Sequence, residues 1–193
     1  MAITLRKATE GDAAAAWEIR REAILHACKG AYADDLLAKW TEGELTVEFA
    51  RFVAERCYVA EAGEAVAGFG AVDLLNGQFD AVFVRPEWMG RGVGGQLTAF
   101  LIGLARAAGL PELRLQATLN AAPFYRRCGF VGDAIGTYHS PRGIDLACVP
   151  MRLTIASPSS SSCAGTKPTL QSSSLAASSE EIRPAASARP KIF

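Results

Sequence analysis

Metal ligands are scarce in this chain. It has two histidines and five cysteines among 193 residues, and no two cysteines stand in a C-x-x-C pair. That scatter supplies neither a metal site nor the framework of a small disulfide-stapled domain. Cys57, Cys128 and Cys148 lie instead within apolar segments, where a thiol behaves as a small core residue. No apolar run reaches the roughly 18 residues of a membrane-spanning helix. The first residues, Met-Ala-Ile-Thr-Leu-Arg-Lys, lack the apolar core of a secretory signal, so a cytoplasmic protein with no membrane partner is expected. Neither sign of charge is in excess: Lys plus Arg and Asp plus Glu both number 20. A chain so balanced does not read as a general nucleic-acid binder.

What is present is apolar. Half of the residues are hydrophobic, enough for a sizeable core. Ile3 to Lys7 reads as a strand, and Thr9-Glu10-Gly11-Asp12 as the cap of a helix from Ala13 to Cys28. Further helical stretches run from Asp34 to Trp40 and Val47 to Glu55. Cys57 to Glu61 and Ala65 to Leu75 read as strands. Asn76-Gly77 predicts a two-residue hairpin turn into a strand from Phe79 to Val84. A helix from Gly92 to Ala108, a strand from Leu113 to Leu119 and a short helix from Ala121 to Cys128 follow. Phe130 to Tyr138 and Ile144 to Leu153 read as a last pair of extended segments. From Ala156 the composition changes, with an unbroken serine run from Ser159 to Ser162. Such a segment buries too little apolar area to offset its ordering entropy. The expected organisation is one domain over residues 1–155 and a disordered Ser/Ala/Pro-rich tail over 156–193.

The stretch 82–97, Val-Phe-Val-Arg-Pro-Glu-Trp-Met-Gly-Arg-Gly-Val-Gly-Gly-Gln-Leu, carries the most information. A strand runs into a glycine-rich turn that opens a helix. The first N–H groups of a helix have no partner within it, and with the positive end of the helix dipole they form an anion site. Three phosphate loops fit such an arrangement. A Walker A loop needs Lys and then Ser or Thr after its last glycine. Here Gln96 and Leu97 follow Gly95, so that loop is excluded. Gly90, Gly92 and Gly95 satisfy G-x-G-x-x-G, but the next strand, with Arg114 and Gln116, does not end in the acid that would hold a ribose. The third loop is identified by a second motif.

Residues 119–130 read Leu-Asn-Ala-Ala-Pro-Phe-Tyr-Arg-Arg-Cys-Gly-Phe. Asn120 stands at an N-cap position, Pro123 fits a first turn and Gly129 fits a C-terminal cap. With Met89-Gly-Arg-Gly-Val-Gly94 one helix and one strand upstream, the chain resembles the GCN5-related N-acetyltransferase (GNAT) family. Its pyrophosphate motif is (Gln/Arg)-x-x-Gly-x-(Gly/Ala), and its second signature is Asn-x-x-x-x-Tyr-x-x-x-Gly-Phe. Met89 replaces the usual Gln or Arg and offers only its backbone, with Arg91 as a compensating charge. The resemblance implies an α/β GNAT fold: a mixed, mostly antiparallel sheet splayed between its fourth and fifth strands, with helices on both faces.

The resemblance also implies a site. Acetyl-CoA would be the co-substrate, its pyrophosphate held by Met89, Gly90, Arg91, Gly92, Val93, Gly94 and Gly95. Its pantetheine arm would pair with Val82, Phe83 and Val84, with Asn120 nearby. A backbone N–H of Phe83 or its neighbour would stabilise the oxyanion. Tyr125 would protonate the departing thiolate, as a phenol with its ordinary value near 10 can; alternatively it packs its ring in the core. Asp80 would deprotonate the acceptor ammonium, or else merely begin its strand facing solvent. His26 lies in the helix-loop-helix region that borders the acceptor site in the family, and His139, with Tyr138 in the last hairpin, would be a further residue facing the acceptor. Glu22, Trp40 and Trp88 read as surface, core and loop-packing residues. No metal is implied.

The reaction expected is direct attack of a primary amine on acetyl-CoA in a ternary complex. A small-molecule amine is the leading acceptor. A protein N-terminus or lysine, and a non-catalytic acyl-CoA sensor, are the alternatives. Asp34, Asp35, Glu42 and Glu44 suit either a cationic acceptor or a solvated acidic face. Many members of the family form homodimers.

Overall fold

Three hydrophobic runs between Cys57 and Val84 build the centre of one sheet. The computed structural model describes residues 2–140 and 143–155, and the Ser-rich segment 156–193 lies outside them. The strands are β1 (Thr4–Lys7), β2 (Cys57–Ala62), β3 (Ala65–Asp73), β4 (Gln78–Val84), β5 (Glu112–Thr118), β6 (Gly136–His139) and β7 (Asp145–Thr154). They form one seven-stranded sheet in the order β1-β2-β3-β4-β5-β7-β6. Every pairing is antiparallel except that of β4 with β5. Those two strands meet at Gln78 opposite Arg114, at their N-terminal ends, and part toward their C-terminal ends. The mixed, splayed sheet is the architecture expected.

The helices are α1 (Ala13–Ala27), α2 (Asp34–Thr41), α3 (Val47–Arg56), α4 (Val93–Ala107) and α5 (Ala122–Arg127). In α4 the stripe Val93, Leu97, Leu101 and Ala105 is buried, the spacing of one helical face. Leu101 and Ala105 pack with Phe79, Leu113 and Tyr125 on one side of the sheet. On the other side Ala16, Trp17 and Ile19 of α1 pack with Phe49, Phe52 and Val53 of α3 against Val59 and Phe69. The end of α1 and α2 cover β6 and β7 through Ile24, Leu37 and Trp40 on Tyr138 and Leu146. The start of α1 is tied by Asp12, which accepts from the Thr9 N–H at 2.8 Å and from two Arg6 nitrogens, each at 2.8 Å.

Three local expectations change. The β3–β4 turn has four residues, 74–77, instead of the two of Asn76-Gly77. The Asp73 side chain accepts from the Leu75 N–H at 2.9 Å and its carbonyl from Gly77 at 3.0 Å, which lengthens the turn. Gly77 takes a left-handed φ of 74° and sits so close to Glu112 that a Cβ would strike its carbonyl oxygen. Asn120 is not the cap of α5. The Ala121 N–H folds back onto the Thr118 carbonyl at 2.9 Å, so Ala121 takes that place. Finally, the segment before β6 is not a continuous strand. Phe130 is buried in the core, Val131 makes a single bridge to Arg152, and regular pairing begins at Gly136.

Candidate active site

Asp80 owes its position to a β-bulge. Ala71 of β3 pairs with Ala81, but the next residue, Val72, pairs with Phe79. Asp80 is therefore the extra residue on β4, and such an insertion flips the side chains that precede it. Phe79 is turned toward Leu101 and Tyr125 on the α4 side, while Phe83 packs with residues of the α1 side. Asp80 itself is nearly buried: its side chain is 9 % exposed, with Arg56 Nη1 at 3.7 Å from Oδ2. It does not face solvent. Its charge also reaches Tyr138, whose phenol is pushed up to about 12 by burial first and then by Asp80, with Arg20 acting in the opposite sense.

A cavity of about 540 Å³ fills the gap where β4 and β5 diverge. Val82, Phe83 and Val84 form one wall, and Asp80, Tyr125 and Asn120 also line it. Peptide groups alternate in direction along a strand. The Arg85 N–H donates to Ala67 of β3 at 2.9 Å, so the Phe83 N–H also points to β3. The N–H groups of Val82 and Val84 then point into the gap. The Val82 N–H reaches the Tyr125 hydroxyl oxygen. Thus Phe83 is not the donor facing the gap; its neighbours are.

At one end of the cavity lies the glycine turn. Gly92 is the N-cap of α4 and holds a left-handed φ of 83°, which a Cβ would strain. The first intrahelical bond runs from Gln96 to Gly92 at 3.0 Å, so the three N–H groups before it belong to the helix's open end. Met89, Gly90, Gly92, Val93, Gly94 and Gly95 line the cavity. A Cβ on Gly90 or Gly95 would enter open space, whereas one on Gly94 would touch Phe124 at 3.5 Å. Buried Val93 anchors the turn. Arg91 is not part of the wall. Its guanidinium lies 5.2 Å from the Trp88 ring centroid, and Trp88 is the residue that lines the cavity.

Tyr125 is buried between Phe79, Phe124 and Phe130, with ring centroids 5.0 to 6.0 Å away. Burial holds its phenol well above the ordinary value, with a smaller push from Cys128 and a partial offset from the Val82 N–H. The phenol of ordinary acidity expected from the sequence is therefore corrected, and core packing and cavity exposure hold together.

Several lining residues carry no signal in the sequence. Tyr32, in the loop between α1 and α2, accepts from the Leu119 N–H at 3.0 Å and donates to the Ala147 carbonyl at 2.6 Å. Arg127, in the last turn of α5, is the cationic side chain lining the cavity among the described residues. Cys28 lies against Thr118 and Asn120, and burial pushes its thiol up to about 11. Asn120 thus spends its side chain on Cys28 and not on a helix cap. His26 and His139 are exposed and line no part of the cavity; His139 pairs with Asp145 at 2.6 Å. Glu22 is on the surface with Arg85 at 3.0 Å, and Trp40 is buried but also lines the cavity. Among the described residues no cluster of three or more His, Cys, Asp or Glu side chains is placed to hold a metal ion. No helix among them is long and apolar enough to cross a membrane.

A sheet splayed beside a glycine-capped helix, with a buried phenol in the gap, defines an acyltransferase architecture. The chain belongs to the GCN5-related N-acetyltransferase family. A family model described as an acetyltransferase (GNAT) domain matches residues 54–132. An aminoglycoside N(6')-acetyltransferase type 1 of Stenotrophomonas maltophilia is 34% identical over 141 residues, which cover 66% of this chain and 85% of that one. Among solved structures, a GCN5-related N-acetyltransferase from Rhodopseudomonas palustris superposes with a TM-score of 0.74 at 25% identity, over 80% of this chain and 97% of the other. The PaiA N-acetyltransferase of Thermoplasma acidophilum, in complex with coenzyme A, gives 0.61 at 17% identity over 80% and 100% of the two chains, and shows the shared fold. The protein is accordingly an acyl-CoA-dependent acetyltransferase.

Proposed function

We propose that the protein transfers acetyl from acetyl-CoA to the primary amine of a small molecule, by direct attack in a ternary complex. The observation that carries this is the continuity of the cavity, from the open helix end at Gly92 to Asp80. The N–H groups of Val93, Gly94 and Gly95 would hold the pyrophosphate. Val84 would pair with the pantetheine amides, and the Val82 N–H, which meets the Tyr125 hydroxyl, would lie toward the carbonyl oxygen. Arg91 and Arg127 flank the loop and the cavity as exposed cations.

In the reaction the acceptor ammonium gives one proton to Asp80. Its lone pair then forms the N–C bond at the acetyl carbon, and negative charge on the carbonyl oxygen meets the N–H groups of the gap. Collapse breaks the C–S bond, and Tyr125 supplies the sulfur with a proton that the acetylated nitrogen's loss of its second proton replaces. The raised phenol stays protonated until this moment, and the thiolate, leaving into the same dry surroundings, is itself a stronger base than in water. Burial keeps Cys28 and Cys148 as thiols, which supports direct attack over an acetyl-cysteine route. The Tyr32 bonds close the acceptor side against β5 and β7, which supports a small acceptor over a peptide strand.

Thiol release from acetyl-CoA, followed with and without a panel of primary amines, tests this function. The expected outcome is amine-dependent release with intersecting initial-velocity lines and an N-acetylated product. Release without amine, or parallel lines with an acetylated protein, would contradict it.

A further inference from the structure

The acceptor end of the cavity holds one carboxylate. Among the described residues lining the cavity, Asp80 is the acidic one. Arg56 lies 3.7 Å from it but closer to Asp73, at 3.1 Å, and fully buried Arg20 acts electrostatically on the same Tyr138 phenol as Asp80 does. Beside Asp80 the lining carries no further charge: Ile24, Trp40, Phe83, Tyr138 and Leu146 are apolar or aromatic, and Gln78, Gln116 and Thr118 are polar but neutral. The carboxylates of α2 and the loop after it, Asp34, Asp35, Glu42 and Glu44, are exposed and line none of it.

An amine with several cationic groups that seats its body in this space brings more than one of them with it. The first ammonium finds Asp80, which takes its proton. A second would be stripped of water without a counter-charge, and an uncompensated buried charge is strongly unfavourable. An apolar body, by contrast, gains by leaving water against these walls, and aromatic faces accept a single ammonium as it enters.

We propose that the acceptor is a monoamine with an apolar, aromatic or branched aliphatic body, and that the cavity discriminates against polycationic amines such as aminoglycosides and polyamines. The inference rests on the acetyl-transfer assignment above and deepens it. It separates this chain from the acceptor named for its Stenotrophomonas maltophilia relative.

The test has two arms on the full chain. In the first, thiol release is compared for 2-phenylethylamine, tobramycin and spermidine at saturating acetyl-CoA. kcat/KM for 2-phenylethylamine should exceed that of either polycation by about a hundredfold or more, as expected when a second charge is buried unpaired. Equal or better turnover of tobramycin or spermidine overturns the inference while leaving acetyl transfer standing. In the second arm the same amines are titrated calorimetrically into the protein saturated with coenzyme A. Preferential binding of 2-phenylethylamine without turnover upholds the acceptor class and removes the transfer function; binding of neither kind of amine overturns the acceptor class.

The variant Ala27→Glu adds a second carboxylate to the wall at a half-buried position outside the proposed chemistry. It should narrow the preference by about tenfold, in line with one partly solvated charge pair. An unchanged ratio in a folded variant would contradict the electrostatic basis of the discrimination.

Discussion

The hydroxyl of Tyr32 accepts from the Leu119 N–H at 3.0 Å, joining the loop after α1 to the residue just beyond β5. The same hydroxyl donates to the Ala147 carbonyl of β7 at 2.6 Å. One side chain thus fastens the acceptor wall to the strand whose departure from β4 opens the cavity. Tyr32→Phe leaves both backbone groups without this partner. The variant should lose about 1–3 kcal/mol of stability, the cost of unmet buried groups, and show a raised KM for the amine with the acetyl-CoA KM unchanged. Urea unfolding and initial-rate kinetics check both parts. Wild-type stability would show that solvent replaces the bonds.

Tyr125→Phe removes the phenol but keeps the ring among Phe79, Phe124 and Phe130. Turnover should fall by about 10²-fold or more, the usual contribution of a positioned acid, with little change in acetyl-CoA affinity. The Val82 N–H loses its partner as well, so a modest loss of stability accompanies it. Unchanged turnover would remove Tyr125 from the acid role and leave it as a core residue.

Asp80→Asn separates proton removal from architecture. At neutral pH the acceptor is mostly ammonium, and without the carboxylate its attack should slow by about 10²-fold or more. As pH rises toward the amine's own value, near 10 for an alkylammonium, free amine accumulates and the deficit should shrink. A deficit equal at all pH values would mean that Asp80 only holds the bulge or Arg56 in place.

The order of elements was legible because it rests on patterns that neighbours in sequence decide. The Gly90–Gly95 run marked both the anion cradle and the start of α4. What stayed hidden depends on partners far along the chain. The Asp80 bulge is a register shift against Ala71 and Val72, and strand composition carries no trace of it. Tyr32 looks like any loop aromatic until β5 and β7 arrive beside it. Asn120 carries a local cap signature, but the Thr118 carbonyl took the Ala121 N–H and Cys28 took its side chain. The single carboxylate of the cavity was equally invisible, since the acidic residues most evident in sequence, Asp34 and Asp35, fall on the exposed side of α2.

The Arg6–Asp12 pair gives a pH dependence of stability. Hydrogen bonds from Arg6, outweighing the opposing effect of burial, hold the Asp12 carboxyl well below its ordinary range. A depressed folded-state value contributes stability above the unfolded value, near 3.9 for Asp. That contribution fades as pH falls below it toward the folded value. Asp12→Asn should therefore cost about 1 kcal/mol near pH 7, allowing for solvent screening at the part-exposed guanidinium. The cost should shrink when unfolding is measured near pH 3. An undiminished cost in acid would assign the loss to the Thr9 N–H contact of Asp12 instead.

The central claim is that the Gly90–Gly95 turn and the cavity behind it hold acetyl-CoA. Calorimetric titration of the full chain with acetyl-CoA, with NADH and ATP as controls and Gly92→Asp alongside, tests it most directly. Gly92→Asp forces a side chain onto a left-handed residue and sets a negative charge where the pyrophosphate would lie. The account predicts one-to-one binding of acetyl-CoA to the wild type, none of NADH or ATP, and no binding to folded Gly92→Asp. Absence of acetyl-CoA binding to the folded wild type, or equal binding to the variant, would contradict it.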